Sequence, residues 1–212
     1  MNYKIVYDSS SNLFHREDVA YTSVPMKVIA GEKEYVDDPQ LDVAGMVDGL
    51  KKHKGKSGSS CPNVQDWLDA FGDAQWIFAI TITAELSGSY SSAMNAADLY
   101  ESENPGRKVF VLDSRAAGPE MVFVVDKIKQ LIAEGLSFDA IKERVIDYHK
   151  RIHTLLCLQS LTNLARNGRV NPAVAKISGV LGIQVSGDVK HGTITPVHKV
   201  RGEKRPSSPF WT

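Results

Sequence analysis

The chain has no surplus of either charge: 25 Lys and Arg balance 25 Asp and Glu across 212 residues. A partner held through bulk electrostatics, nucleic acid or an anionic membrane, is therefore not expected. Cysteine is scarce. Cys61 and Cys157 stand far apart without CxxC spacing, which signals neither a zinc site nor a disulfide framework. That usage reads as a reduced, cytoplasmic protein. Long apolar runs are missing too. The longest, around Ile77–Ile82 and Met121–Val125, are strand-length or shorter, so no integral membrane segment is expected. The N-terminus enters a strand directly and shows no signal-peptide core. No GxxxxGK[ST] or GxGxxG loop signals a nucleotide, and no HExxH or GxSxG signals a zinc or serine hydrolase. His149, His153, His191 and His198 lack ligand spacing and read as solvated or hydrogen-bonded. What remains, 42% hydrophobic and 24% charged, is the composition of an ordinary soluble protein, long for one domain and short for two.

The stretch that organises the chain is Trp76–Ala97. WIFAITI is a short uncharged run of β-branched and aromatic residues, as a central parallel strand buried on both faces requires. TAELSGS is a small polar turn, and a helix begins at or near Ser89, with Ser87, Gly88 and Ser89 supplying hydroxyls and a permissive backbone before its first turn. A helix N-terminus carries unpaired N–H groups and positive partial charge, and a strand-to-helix turn sits at the carboxyl edge of the sheet, where open α/β folds place ligands. Ser87 and its neighbours can therefore hold an anionic head group. Ser87 can equally act as a simple helix cap, the commoner task of such a serine.

In chain order, Lys4–Tyr7 reads as a strand that breaks at Asp8-Ser9-Ser10-Ser11-Asn12, and Val24–Ile29 as a second strand that tolerates Pro25 near its start. Gly31–Asp38 reads as a turn and extended excursion, and Leu41–His53 as a helix, with apolar residues at Leu41, Ala44, Val47 and Leu50. KKHKGKSGSS then looks like a helix stop and a flexible loop. In Ser57–Asn63, Ser59 and Ser60 offer hydroxyls and Pro62 stiffens the turn; the local alternative is a linker that caps the helix Val64–Phe71. Lys108–Leu112 is a further strand, running into Asp113-Ser114. Helices follow at Glu120–Ala133, with Pro119 in the first position although MVFVV is locally strand-like, and at Ser137–Arg151. Alternating strands and helices up to about residue 150 describe a parallel sheet covered on both faces. The character then changes: a strand at Thr154–Leu158, short helices at Ser160–Asn167 and Pro172–Leu181, and two strands, Ile183–Ser186 and Thr193–Val200, joined as a hairpin across Gly187–Gly192. The fold class is thus α/β: a Rossmann-like parallel-sheet domain over residues 1–151, a partial α/β domain with an antiparallel sheet over 152–203, and an unstructured tail over 204–212.

Taken together, these stretches resemble the DegV family of fatty-acid-binding proteins. The matching residues are Tyr7-Asp8-Ser9-Ser10, Val24-Pro25-Met26, Glu34-Tyr35-Val36-Asp37-Asp38, Ser59-Ser60-Cys61-Pro62, Leu86 to Ala93 (LSGSYSSA) and Val111-Leu112-Asp113-Ser114. Leu161 to Val170 (LTNLARNGRV) and Lys199-Val200-Arg201-Gly202 continue the match, in order, from residue 4 to about 202. The LSGSY block is the most specific, and the ordered set is strong. The resemblance implies a long-chain fatty acid in an apolar tunnel, its carboxylate held by Ser59, by Ser87 with Gly88, and by Arg169. It implies a non-enzymatic acyl carrier that needs no cofactor, presents the carboxylate to a fatty acid kinase, and serves lipid transport and phospholipid synthesis. The residue types suit that task. A carboxylate only accepts hydrogen bonds, so hydroxyls, backbone N–H groups and a guanidinium satisfy it, while each buried methylene contributes roughly 0.8 kcal/mol.

The chain departs from the family pattern in places. Ser59-Ser60-Cys61-Pro62 stands where the family usually has Thr-Ser-Gln-Pro; a Ser-for-Thr exchange keeps the donor, so Ser59 stays assigned. Arg115-Ala116-Ala117-Gly118-Pro119-Glu120 is less small and Gly-rich than usual, and Arg115 reads either as an extra contact or as a solvated side chain. Family members also continue well beyond KVRG, where some place a histidine near the carboxylate. The second domain is accordingly expected to be incomplete, with an exposed edge strand that promotes self-association. With the resemblance included, Ser87 as head-group ligand is favoured, and capping can coexist with it. Arg169 has a rival task at the carbonyls of the preceding helix end. The alternative from another class is a Ser-dependent hydrolase or phosphotransferase using Ser87, for which no activating His/Asp pair is identifiable.

Overall fold

The computed structural model describes residues 2–13, 20–158, 160–171, 183–190 and 193–201. The chain forms two compact units, Met1–Ile152 and His153–Thr212.

In chain order the first unit contains β1 (Tyr3–Asp8), a 3-10 turn at Ser9–Ser11, β2 (Tyr21–Val24), β3 (Lys27–Ala30), β4 (Lys33–Val36) and α1 (Val43–Lys52). β5 (Ser57–Ser60), α2 (Val64–Phe71), β6 (Trp76–Thr81), α3 (Ser89–Glu103), β7 (Lys108–Asp113), α4 (Pro119–Ala133) and α5 (Phe138–His149) follow. Four strands make a parallel sheet in the order β2-β1-β6-β7. Period-two alternation sends Ile5 and Tyr7 of β1 to one face and Val6 to the other. On the first face they join Phe78 and Ile80 of β6 under Met121, Val124, Val125, Ile128 and Leu131 of α4 and Ile141 and Val145 of α5. On the second face Val6, Ile77 and Ala79 pack against Trp67 and Phe71 of α2 and Ala93, Ala96 and Tyr100 of α3. β6 is therefore buried on both sides, as its uncharged composition requires.

α4 shows burial overriding propensity. MVFVV favours a strand locally, yet Met121, Val124, Val125, Ile128 and Leu131 repeat at helical spacing and are all fully buried. Pro119 opens the helix and Gly118, at φ +77°, turns the chain into it. α2 carries its own start signal: the Asn63 side chain accepts the Asp66 N–H while the Asp66 carboxylate accepts the Asn63 N–H.

The segment expected as one strand at Val24–Ile29 is instead two strands in two sheets. Val24 pairs in parallel with Asp8; Pro25 cannot donate to a ladder; and from Lys27 the chain enters a separate antiparallel sheet of order β4-β3-β5. The expected excursion at Gly31–Asp38 is a two-residue turn, with Gly31 at φ +65°, leading into β4. The loop expected through KKHKGKSGSS is corrected likewise: its last residues form β5, with Ser59 opposite Val28 and Ser60 opposite Lys27. Ser and Gly carry little strand propensity of their own, so the backbone ladder to β3 is what holds β5 extended.

The second unit contains β8 (Leu155–Leu158), α6 (Thr162–Arg166), β9 (Ile183–Lys190) and β10 (Thr193–Arg201), with an antiparallel sheet of order β10-β9-β8. β9 runs further than its sequence pattern implies: Gly187 lies within the strand opposite Pro196, next to a register shift between Pro196 and His198. The expected helix at Pro172–Leu181 and the expected tail at 204–212 fall outside the described residues. The molecule is α/β, with a Rossmann-like parallel sheet in one unit and an antiparallel three-stranded sheet in the other.

Candidate ligand-binding site

The turns leaving β1, β6 and β7 at the carboxyl edge of the parallel sheet are tied to one another. Asp8, the last residue of β1, is fully buried. Its Oδ2 accepts the Ile82 N–H at 2.8 Å and the Ser89 hydroxyl at 2.6 Å, and its Oδ1 accepts the Ser10 hydroxyl at 2.5 Å. Burial raises the Asp8 carboxyl above its ordinary value, against the lowering effect of the hydrogen bonds from Ser10, Ser89 and Ile82. Ser9 donates to Asp37 Oδ2 at 2.7 Å and accepts the Met26 N–H at 3.0 Å, which joins the same edge to the small antiparallel sheet. Beyond β7, the Ala84 and Arg115 N–H groups share Asp113 Oδ1, the Thr83 N–H bonds to Ala116 O, and the Gly118 N–H bonds to Ser10 O.

α3 starts from this edge. Ser87 is half-buried, Gly88 exposed and Ser89 buried. The N-cap position is Gly88, which has no side chain to cap with; Ser87, one residue earlier, accepts the Ser89 N–H at 3.2 Å in a local turn. A hydroxyl that accepts keeps its own proton to donate, and the N–H groups at the start of a helix have no intrahelical carbonyl. Ser89, grouped with Ser87 from sequence, differs: its hydroxyl points inward to Asp8. A Cβ placed on Gly88 would lie 3.2 Å from Cys61 Sγ, so the segment leaving β5 and the turn into α3 meet at that glycine. Ser59 itself is an exposed residue of β5, on a strand and not in a loop.

Arg169 belongs to the second unit, where it is half-buried just after Gly168, which has φ +72°. The Asn163, Leu164 and Ala165 carbonyls accept the N–H groups of Asn167, Arg169 and Gly168, which closes the end of α6. Leu161 and Val170, packed with Leu158, Leu164 and Ala165, fix the flanks of this turn.

Sequence reasoning missed two features of the edge. Asp8 sits in a recognisable motif, but its burial and its convergence of donors depend on long-range packing. The other feature lies behind β7, where His149 Nε2 donates to Ser114 O at 2.6 Å and lies 3.6 Å from Glu120 Oε1. Burial pushes the Glu120 carboxyl up to about 7. No local spacing relates His149 to Ser114, 35 positions away.

Comparison with known proteins gives a consistent result. The sequence model of a family described as "Uncharacterised protein, DegV family" matches residues 2–208. A DegV domain-containing protein of Streptococcus gordonii is 35% identical over 210 residues, covering 97% of this chain and 75% of that relative. Among solved structures, a DegV family protein from Eubacterium eligens loaded with heptadecanoic acid matches with a TM-score of 0.90 and 42% identity, over 94% of this chain and 73% of that one. The Streptococcus pneumoniae Fatty Acid Kinase (Fak) B3 protein loaded with linoleic acid matches with a TM-score of 0.91 and 34% identity, over 95% of this chain and 74% of that one.

Proposed function

The chain belongs to the DegV family, and from that premise we propose that it is a carrier of a long-chain fatty acid. The observation that carries the reading is the turn into α3: a half-buried Ser87 hydroxyl with its proton free to donate, an exposed Gly88 backbone, and a helix N-terminus behind them. Such a turn suits a carboxylate. The hydrogen bond described for Ser87 comes from a backbone N–H, and turnover lost in Ser87→Ala would instead favour the hydrolase or phosphotransferase alternative.

In this reading the carboxylate is held by Ser59, Ser87, Gly88 and Arg169, the alkyl chain lies in an apolar tunnel, and the loaded protein presents its head group to a fatty acid kinase. The carrier is not itself an enzyme, and it works in the cytoplasm, in lipid transport that feeds phospholipid synthesis. Similarity to proteins solved with heptadecanoic and linoleic acid, one of them a fatty acid kinase B3 protein, supports the ligand class and the partner. The reading also includes the residue boundaries 1–151 and 152–203 for the two domains, and self-association through an outer strand of the second.

Native mass spectrometry of the purified protein, followed by denaturing extraction, tests the reading. The expected result is one bound fatty acid per chain, lost in Ser87→Ala and in Arg169→Ala. A protein that is empty as purified and takes up neither oleate nor palmitate would overturn it.

A further inference from the structure

We propose that Asp8 is the positioning residue of the head-group turn: it fixes Ser89, and through Ser89 the Ser87 hydroxyl, without touching the ligand. The inference rests on the carrier reading above and adds a residue to the machinery of that same site.

Three donors converge on one side chain. The Ser10 hydroxyl, the Ser89 hydroxyl and the Ile82 N–H all point at a carboxylate that is 0% exposed. A carboxylate accepts without donating, so it satisfies all of them at once; an amide in its place would turn an NH2 toward at least one donor. No ion pair joins Asp8 to a described Lys or Arg. Its two oxygens are met by one backbone N–H and two hydroxyls, one of them from Ser89, the first residue of α3. Three donors converging on one buried side chain make this a firm anchor.

Ser89 converts the anchor into a position for Ser87. Its side chain goes inward to Asp8 at 2.6 Å, and its backbone N–H goes to Ser87 Oγ at 3.2 Å. With a lone pair engaged in that way, the Ser87 hydroxyl is left one rotamer that keeps the bond and one proton to donate outward. Loss of the Asp8 contact unties the first residue of α3 from the sheet edge, and the Ser89 backbone N–H that orients Ser87 is then held less firmly. The site would still be present, with its donor no longer pre-aimed. Pre-organisation of that kind sets affinity rather than specificity for chain length.

The test uses the full chain, with oleate displacing a fluorescent fatty acid, and records melting temperature in parallel. Ser89→Ala keeps Asp8 buried and is expected to weaken oleate binding by roughly tenfold, on the order of one lost hydrogen bond. Ser89→Thr, which keeps the hydroxyl, is expected to restore most of the affinity, although its added methyl also perturbs packing. Asp8→Asn is expected to weaken binding by a similar factor, and the double variant Asp8→Asn/Ser89→Ala by no more than either single change, because both remove one contact. A purely structural role would lower the melting temperature of Ser89→Ala and leave its oleate affinity unchanged, and that result overturns the proposal. If Asp8→Asn does not fold, Ser89→Ala and Ser89→Thr still decide it. A wild-type protein that binds no oleate overturns the carrier reading and this proposal together. A wild type that binds, alongside a Ser89→Ala variant that binds equally well, overturns this proposal alone.

Discussion

At the scale of single residues, the contact between Gly88 and Cys61 is the most exacting feature of the site. Gly88 has φ −73°, a backbone conformation that alanine adopts without strain, so only space decides what can replace it. A Cβ there would lie 3.2 Å from Cys61 Sγ, closer than an ordinary carbon–sulfur contact. Gly88→Ala is therefore expected to displace either the turn or Cys61 and to weaken fatty-acid binding by roughly three- to tenfold, on the order of the strain of mild overpacking. Cys61→Gly in the same chain removes the obstructing sulfur and should recover most of the loss. Titration of both variants with oleate checks this; a Gly88→Ala variant with wild-type affinity would show that the close approach is immaterial.

At the scale of elements, α4 and α5 share an apolar interface and, at its edge, a polar contact of low exposure between Glu120 and His149. Glu120 lies in the first turn of α4 and His149 at the end of α5, and His149 donates to the Ser114 carbonyl at the end of β7. Burial lifts the Glu120 carboxyl from its ordinary 4.5 to about 7, so the folded chain holds this proton more tightly than the unfolded chain does. The resulting contribution to stability is fully present below about pH 4.5 and is lost as pH rises through about 7. Glu120→Gln, a neutral side chain of the same shape, removes that loss. Its stability relative to wild type is expected to rise between pH 5 and pH 8 by on the order of 1–3 kcal/mol, and to level off above that. Urea unfolding at a series of pH values measures the difference; a constant offset across the range would mean that Glu120 titrates as an ordinary carboxylate.

At the scale of the whole molecule, charge and edges matter most. The formal net charge is zero at pH 7, which leaves little long-range repulsion between copies. Among the described residues β8 and β10 are the outer strands of the second unit's sheet, and an outer strand presents unpaired N–H and C=O groups to any other edge. We expect self-association that strengthens with concentration near pH 7 and weakens as pH moves away from the isoelectric point of about 7.0. Sedimentation velocity over a concentration series reads this directly, and a monodisperse monomer throughout would refute it. No helix among the described residues is long and apolar enough to cross a membrane.

Much of this molecule was determined by sequence alone, because the information is local. The uncharged run of β6, the serine-rich start of α3, the buried stripe of α4 and the capping residues Asn63 and Ser137 each carry their signal within a few positions. Ser87 could be singled out by the same local rules, and the ordered motifs around it pointed to the family. Tertiary structure decided the rest. A Gly/Ser-rich segment became β5 only because β3 offered it a ladder, and one apolar run became β2 and β3 because Pro25 and the Ser9 hydroxyl part them between two sheets. Asp8 gathers donors from residues up to 81 positions away, and Gly88 meets a cysteine 27 residues earlier (88 − 61). A strand's pairing partner and a buried carboxylate's donors are properties of chain segments brought together by folding, and no spacing within either segment records them.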